Sequence, residues 1–163
     1  MLIQWLVFIH ILSTLTFFLA HGSSVAMAFK IRKETDIERI KAMLDLSGST
    51  VMAVFFSFLA MGLSGLVLPF FFKFWGKGWV WASIVLTLLI FFWMSFFNER
   101  AYKRLRKLVG MPYMVRNKEF LAEPPASPEE IQAHIQSINV RQLTIIGYGV
   151  PVVILWLMTF KPF

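Results

Sequence analysis

MLIQWLVFIHILSTLTFFLAHGSSVAMAF, residues 1–29, holds no Asp, Glu, Lys or Arg, and Lys30-Ile31-Arg32-Lys33 follows it at once. An uncharged apolar run of this length has one inexpensive conformation in lipid, an α-helix, because only a helix satisfies every backbone N–H and C=O within the segment. At a rise of about 1.5 Å per residue it exceeds the ~30 Å apolar thickness of a bilayer. A tilted span, or one that projects beyond the membrane, is expected. Ala26-Met27-Ala28 has the small residues of a signal cleavage site. A signal also needs a basic leading region and a short apolar stretch, and this segment has neither. It is read as a retained first span, residues 2–29.

The rest of the chain repeats the pattern. Of 163 residues, 58% are hydrophobic, and 18 are Phe. The mean hydropathy is +0.68. No soluble domain of this size needs that much apolar surface, so the class is a membrane protein. Further spans are predicted over residues 50–68, 79–97 and 143–160, joined by connectors at residues 30–49 and 98–142. With no cysteine, disulfides, thiolate metal sites, iron–sulfur clusters and cysteine nucleophiles are excluded. The formal charge of +7 sits in short basic blocks beside apolar runs. That pattern points to anionic lipid headgroups rather than nucleic acid.

Both long connectors carry helix signals. Thr35-Asp36-Ile37-Glu38 reads as a capping box with Thr35 as N-cap, and Ile37, Ile40 and Leu44 share one helical face. Ser47-Gly48-Ser49 reads as the stop. Ser127-Pro128-Glu129-Glu130 is a helix start, with Ile131, Ile135 and Ile138 along one side. These are expected as two short amphipathic cytoplasmic surface helices, the first with Ile37, Ile40 and Leu44 facing lipid or the bundle, with residues 111–125 irregular and His134 in solvent. Pro69 is expected to stop or kink the second span, and Gly110 to cap an extension of the third. Ala53, Ser57, Ala60 and Ser64 make a small-residue stripe on the second span, and Gly62 and Gly65 add a second patch of close approach.

Charge sets the topology. The connectors at 30–49 and 98–142 hold five and eight Lys/Arg, against two in the turn at 73–77 and one in the tail. The positive-inside rule then places both termini outside. Trp5, Trp75, Trp79, Trp81 and Trp156 fall near the outer boundary in that orientation, and Trp93 near the inner one. The fold class is all-α, a four-helix transmembrane bundle, N-out/C-out, forming one membrane domain over residues 1–163.

His10 and His21 are the polar residues that invite chemistry. Eleven residues is close to three full turns, so both rings project from one face of the first span, about 16 Å apart. An ionisable residue inside a span marks a site or an internal hydrogen bond. A neutral imidazole ligates haem iron, or the magnesium of a chlorophyll-type pigment. His10 and His21 are therefore candidate axial ligands for haem b or such a pigment. They cannot share one iron, and the other three spans hold no His. A partner chain, a Met ligand (Met52, Met61, Met94 or Met158) or a five-coordinate centre would have to complete a site. The competing reading is that His10 hydrogen-bonds a hydroxyl or carbonyl across the bundle and His21 anchors the interface. No spanning segment holds an acid or a Lys/Arg, which argues against an ion-coupled transporter. The acids all lie in the connectors, so no Ser/His/Asp set can assemble, and no catalytic or metal-ligand set is assigned.

Trp5-Leu6-Val7-Phe8-Ile9-His10, the exit His21-Gly22-Ser23-Ser24, and the connector Phe29-Lys30-Ile31-Arg32-Lys33 with Asp36-Ile37-Glu38-Arg39-Ile40 resemble a known group. It is the bacterial four-span integral membrane protein family of unknown function that lies near the copper-resistance D-like proteins. The resemblance covers the first span and its connector. It implies a bacterial inner (plasma) membrane location, with haem or copper as the associated chemistry. From the residues themselves, the small-residue stripe, the Phe-rich faces, the lack of a catalytic set and the two histidines, three functions are expected. The first is a non-enzymatic accessory or structural subunit of a larger respiratory or photosynthetic complex, partnered by lipid and by other membrane subunits. The second is a haem- or pigment-binding electron carrier using His10 or His21. The third is a small-solute or metal-ion permease.

Overall fold

The computed structural model describes residues 1–115 and 118–163, apart from the side chains of Asn98, Glu99 and Val115. Arg116, counted above among the connector cations, lies outside the described residues. Helix α1 (Leu2–Ile31) is followed by α2 (Ile37–Ser49), α3 (Val51–Phe72) and α4 (Gly78–Asn98). A five-residue π-helical turn (Glu99–Lys103) carries α4 directly into α5 (Arg104–Leu108). A two-stranded hairpin, β1 (Tyr113–Val115) with β2 (Lys118–Phe120), precedes α6 (Pro128–Ser137) and α7 (Val140–Phe160). Four helices are long and apolar enough to cross a membrane. The chain is a multi-pass, all-α membrane protein built as a four-helix bundle.

The spans associate as two antiparallel pairs, α1 with α3 and α4 with α7. The small-residue stripe explains the first pair. Ser57 and Ser64 are buried, and their hydroxyls return to Ala53 O and Ala60 O at 2.6 Å, so the helix satisfies its own polar groups. Ring groups of α1 then lie against it: His10 reaches Ser64, and Phe17 packs on Phe58. The stripe is therefore used within the chain. In the second pair Trp79, Val80 and Leu157 form a small cluster at one end, where Trp79 N also donates to Phe163 O at 3.3 Å.

The main core lies outside the apolar spans. Ile40 and Leu44 of α2, Leu105 of α5, Ile131 and Ile135 of α6, and Val109 meet Ala28 and Ile31 of α1 and Leu143 of α7. Ile40 and Leu105 are completely buried. The aliphatic rows of the two connectors face each other and the α4 extension, so neither α2 nor α6 lies alone on a surface as expected. An aliphatic stripe loses more water contact against a second stripe than against a headgroup region, and the two connectors supply matching stripes. Polar side chains lock the contact. Gln132 Nε2 donates to Glu34 O (2.8 Å), Gln136 Nε2 to Arg32 O (3.1 Å), and Arg32 Nη1 to Ile138 O (3.0 Å). Arg106 reaches Asp45 Oδ1 (3.2 Å), Leu44 O (3.4 Å) and Pro112 O (3.1 Å).

Other details depart from the sequence reading. Asp36, not Thr35, is the N-cap of α2, and its carboxylate accepts from the N–H of Glu38 and of Arg39. Asp outcompetes Thr here because a charged acceptor also complements the helix dipole. Ser47-Gly48-Ser49 is where α2 ends, as read, but only one residue, Thr50, separates it from α3. Pro69 sits inside α3, which continues to Phe72 and ends where Lys73 turns left-handed (φ 55°). A proline near a helix C-terminus disrupts only the turn before it. Residues 111–125 are not wholly irregular: after Gly110 (φ 75°) the β1–β2 hairpin forms, with Tyr113 stacked on Phe120. His134 is half-buried rather than solvated, its Nε2 donating to Ala101 O at 2.9 Å. The reason is that α6 packs against the π-helical turn, an arrangement that no local pattern encodes.

Candidate functional site

The two histidines of α1 meet different neighbours. Because α1 runs between α3 and α7, one helical face touches α3 near its start and α7 three turns later. His10 faces α3, with Nδ1 3.0 Å from Met61 O and 3.1 Å from Ser64 Oγ. A carbonyl only accepts, so Nδ1 carries the proton and donates it. Gly65 makes the approach feasible: a Cβ there would stand 3.0 Å from His10 Cε1. Gly62, from the same patch of the sequence, has nothing comparably near.

His21 faces α7. It is buried, with only 6% of its surface exposed. Its ring lies parallel to Phe17 at 5.7 Å and tilts against Tyr148 at 5.4 Å. Among the described residues, Nε2 has no hydrogen-bond partner. Gly147 lies directly across, where a Cβ would come within 2.8 Å of Nε2. The reciprocal contact is made at Gly22, where a Cβ would come within 2.9 Å of the Tyr148 hydroxyl. Each helix thus offers a glycine to the ring of the other. This joint and the Phe58–Phe91 stack, at 4.9 Å, connect the two helix pairs inside the apolar region. In the sequence, Gly147-x-Gly149 reads as close helix packing or a bend before Pro151, and nothing there pairs Gly147 with His21.

The fit to a tetrapyrrole can be tested on these contacts. Axial ligation needs a metal about 2 Å from the imidazole nitrogen, in line with the ring, and a clear slot for the macrocycle. At His21, a Cβ on Gly147 would already stand 2.8 Å from Nε2, so α7 lies close against that nitrogen. Met94 is the methionine brought closest to this point, its sulfur 3.9 Å from the position of a Gly147 Cβ. An iron joining His21 to Met94 would have to displace α7. At His10, Nδ1 donates to α3, which leaves the Nε2 lone pair as the free ligand atom of that ring, and Met61 contributes its carbonyl rather than its sulfur. Met52 is exposed and Met158 belongs to the cluster around Trp79. The close approach of α7 leaves no room for an axial group on His21 Nε2 in this packing.

Near the same end of α1, Ser24 Oγ lies 3.0 Å from Thr50 Oγ1 and 3.2 Å from Ser47 Oγ, and Thr50 returns to Ser47 O. This hydroxyl cluster joins α1 to the α2–α3 junction. Its members do not stand out in the sequence, because Ser47 and Thr50 read as helix punctuation. The arrangement as a whole orients and locks helices through polar contacts. In comparisons with protein-family models, with curated proteins and with solved structures, nothing matches the chain.

Proposed function

We propose that this chain is a non-enzymatic accessory or structural subunit of a larger assembly in a bacterial inner membrane, respiratory or photosynthetic. Both termini and the 73–77 turn face outward in this reading, and the two long connectors lie in the cytoplasm. The observation that carries it is the placement of the packing. The core is concentrated at the connector end, while the spans beyond it leave wide aromatic faces exposed, with Phe55 and Phe56 on α3 and Phe92 and Phe96 on α4. A chain fixed at one end and open along its spans suits a role in which neighbouring subunits and lipid complete the bundle. The four helices long and apolar enough to cross a bilayer support the membrane location.

Extraction in a mild detergent followed by native electrophoresis tests the reading. A discrete species of higher mass, with a partner at fixed stoichiometry, is expected. A protein that runs alone and monodisperse under the same conditions overturns it. The visible spectrum of the purified protein separates it from an electron carrier using His10 or His21: a stoichiometric Soret or chlorin band would replace the subunit reading with that one. Substrate uptake into liposomes that is lost in His10→Ala would replace it with a permease.

A further inference from the structure

A cleft of about 310 Å³ opens between the end of α4, the π-helical turn and the α6–α7 junction. It is lined by Trp93, Phe96 and Phe97, from the last apolar turns of α4, and by Arg100, His134, Asn139 and Gln142. It therefore straddles the level at which apolar span gives way to charged connector. The Arg100 guanidinium lies 4.1 Å over the Phe96 ring, a cation–π contact that holds the charge at the mouth. Among the described residues it has no carboxylate partner. His134 is fixed by its bond to Ala101 O. Asn139 uses its side-chain oxygen to accept from Gln142 N (2.9 Å), which leaves its amide N–H₂ as a donor.

We propose that this cleft binds the phosphate of an anionic phospholipid headgroup, with the lipid's acyl chain running along the aromatic lining into the bilayer. Three features point to a lipid rather than a soluble anion. The wall below the cation is aromatic and continuous with a spanning helix. The volume suits a headgroup but not a whole lipid, so the chains must lie in the membrane. A planar guanidinium flanked by neutral donors matches the oxygens of a phosphate ester. Eight of the chain's Lys/Arg fall in the 98–142 connector, so the surrounding field also favours a negative headgroup.

Native mass spectrometry of the full-length protein tests the site, with phosphatidylglycerol and phosphatidylcholine of identical acyl chains as probes. Preferential retention of one phosphatidylglycerol is expected. Arg100→Gln should weaken that retention about tenfold or more, as expected for loss of a charge-assisted bond, while Arg39→Gln should leave it unchanged. Arg39 lies on α2 and is 73% exposed at the side chain. Equal retention of the two lipids, or equal loss in both variants, overturns the proposal, since either marks diffuse attraction. Inorganic phosphate that binds as tightly as the lipid overturns it too, because the acyl chain would then contribute nothing. Should Arg100→Gln fail to fold, a photoactivatable phosphatidylglycerol on the wild-type protein decides. Crosslinks within residues 93–100 and 134–142 support the site, and crosslinks spread along the spans refute it.

Discussion

At the residue scale, two glycines and two histidines determine how the spans touch. The His21 ring presses on Gly147, so Gly147→Ala must move a buried ring or push the two helices apart. Overpacking of this kind costs about 1–3 kcal/mol, although alanine has the better helix propensity. The cost should appear as a lower SDS-unfolding midpoint. Adding His21→Ala should relieve some of it, so that the double variant loses less than the sum of the singles by at least about 0.5 kcal/mol. Strict additivity would show that the ring and the glycine are not in contact. Ser64→Ala is a milder change. His10 keeps Met61 O as an acceptor, and interhelical hydrogen bonds in bilayers average about 0.6 kcal/mol. A loss near that value is expected in the same assay, and one above ~2 kcal/mol would mean that Ser64 does more than accept from His10. His10 and His21 are legible as the polar residues of the first span, and so is the alternative that His10 bonds across the bundle. Their partners are not, because Gly65 and Gly147 become meaningful only when another helix arrives beside them.

At the element scale, apolar periodicity marks the four spans and both connector helices, and their boundaries in the structure differ by only a few residues. Ser127 caps α6 as its sequence suggests, accepting from Glu130 N. What cannot be read is that α2, α5 and α6 form one core, since amphipathic helices look the same whether they face lipid, water or one another. Truncation measures the difference. Ile40→Ala, Leu105→Ala and Ile131→Ala remove fully buried side chains and should each cost about 2–5 kcal/mol. Leu15→Ala, at an α1 residue that is itself 57% exposed, should stay within ~0.5 kcal/mol. If α2 and α6 lay on headgroups instead, the connector variants would match Leu15→Ala in detergent unfolding. The hairpin adds a pH-dependent clasp. The Tyr113 hydroxyl donates to Glu123 Oε1, and Lys107 Nζ lies 3.4 Å from Oε2. The tyrosine hydrogen bond, with the lysine's behind it, holds the Glu123 carboxyl below its ordinary value and outweighs the opposing effect of desolvation. A depressed carboxyl stabilises the folded state above its unfolded pKa, and that stabilisation is lost as pH falls through the folded value. The carboxyl carbon shift of Glu123 should therefore titrate below 4.5 and move back up in Tyr113→Phe. An unchanged midpoint in that variant would remove Tyr113 as the cause.

At the scale of the whole molecule, the connectors gather at one end and the 73–77 turn and C-terminus at the other. Arg32 binds Ile138 O and Arg106 binds Asp45, so the two cationic connectors share a side. At the opposite end Trp79 N donates to Phe163 O. The two ends differ sharply in charge: the 73–77 turn and the tail hold only Lys73, Lys77 and Lys161. A bundle so polarised has one favourable orientation, because moving Lys and Arg across a membrane is costly and the cytoplasmic leaflet attracts them. The chain has no cysteine, so single cysteines report on topology without background. In intact cells a membrane-impermeant maleimide should label Gly76→Cys and Phe163→Cys, and should label Arg39→Cys and Lys118→Cys only after the membrane is opened. Gly76 has nothing within 4 Å of a Cβ position, and Phe163 is 62% exposed, so both sites are open to the reagent. The reverse pattern would invert the bundle and place the cleft beside Arg100 on the outer face. Labelling of all four sites in intact cells would mean two orientations coexist, which a thirteen-to-three bias in Lys and Arg strongly disfavours.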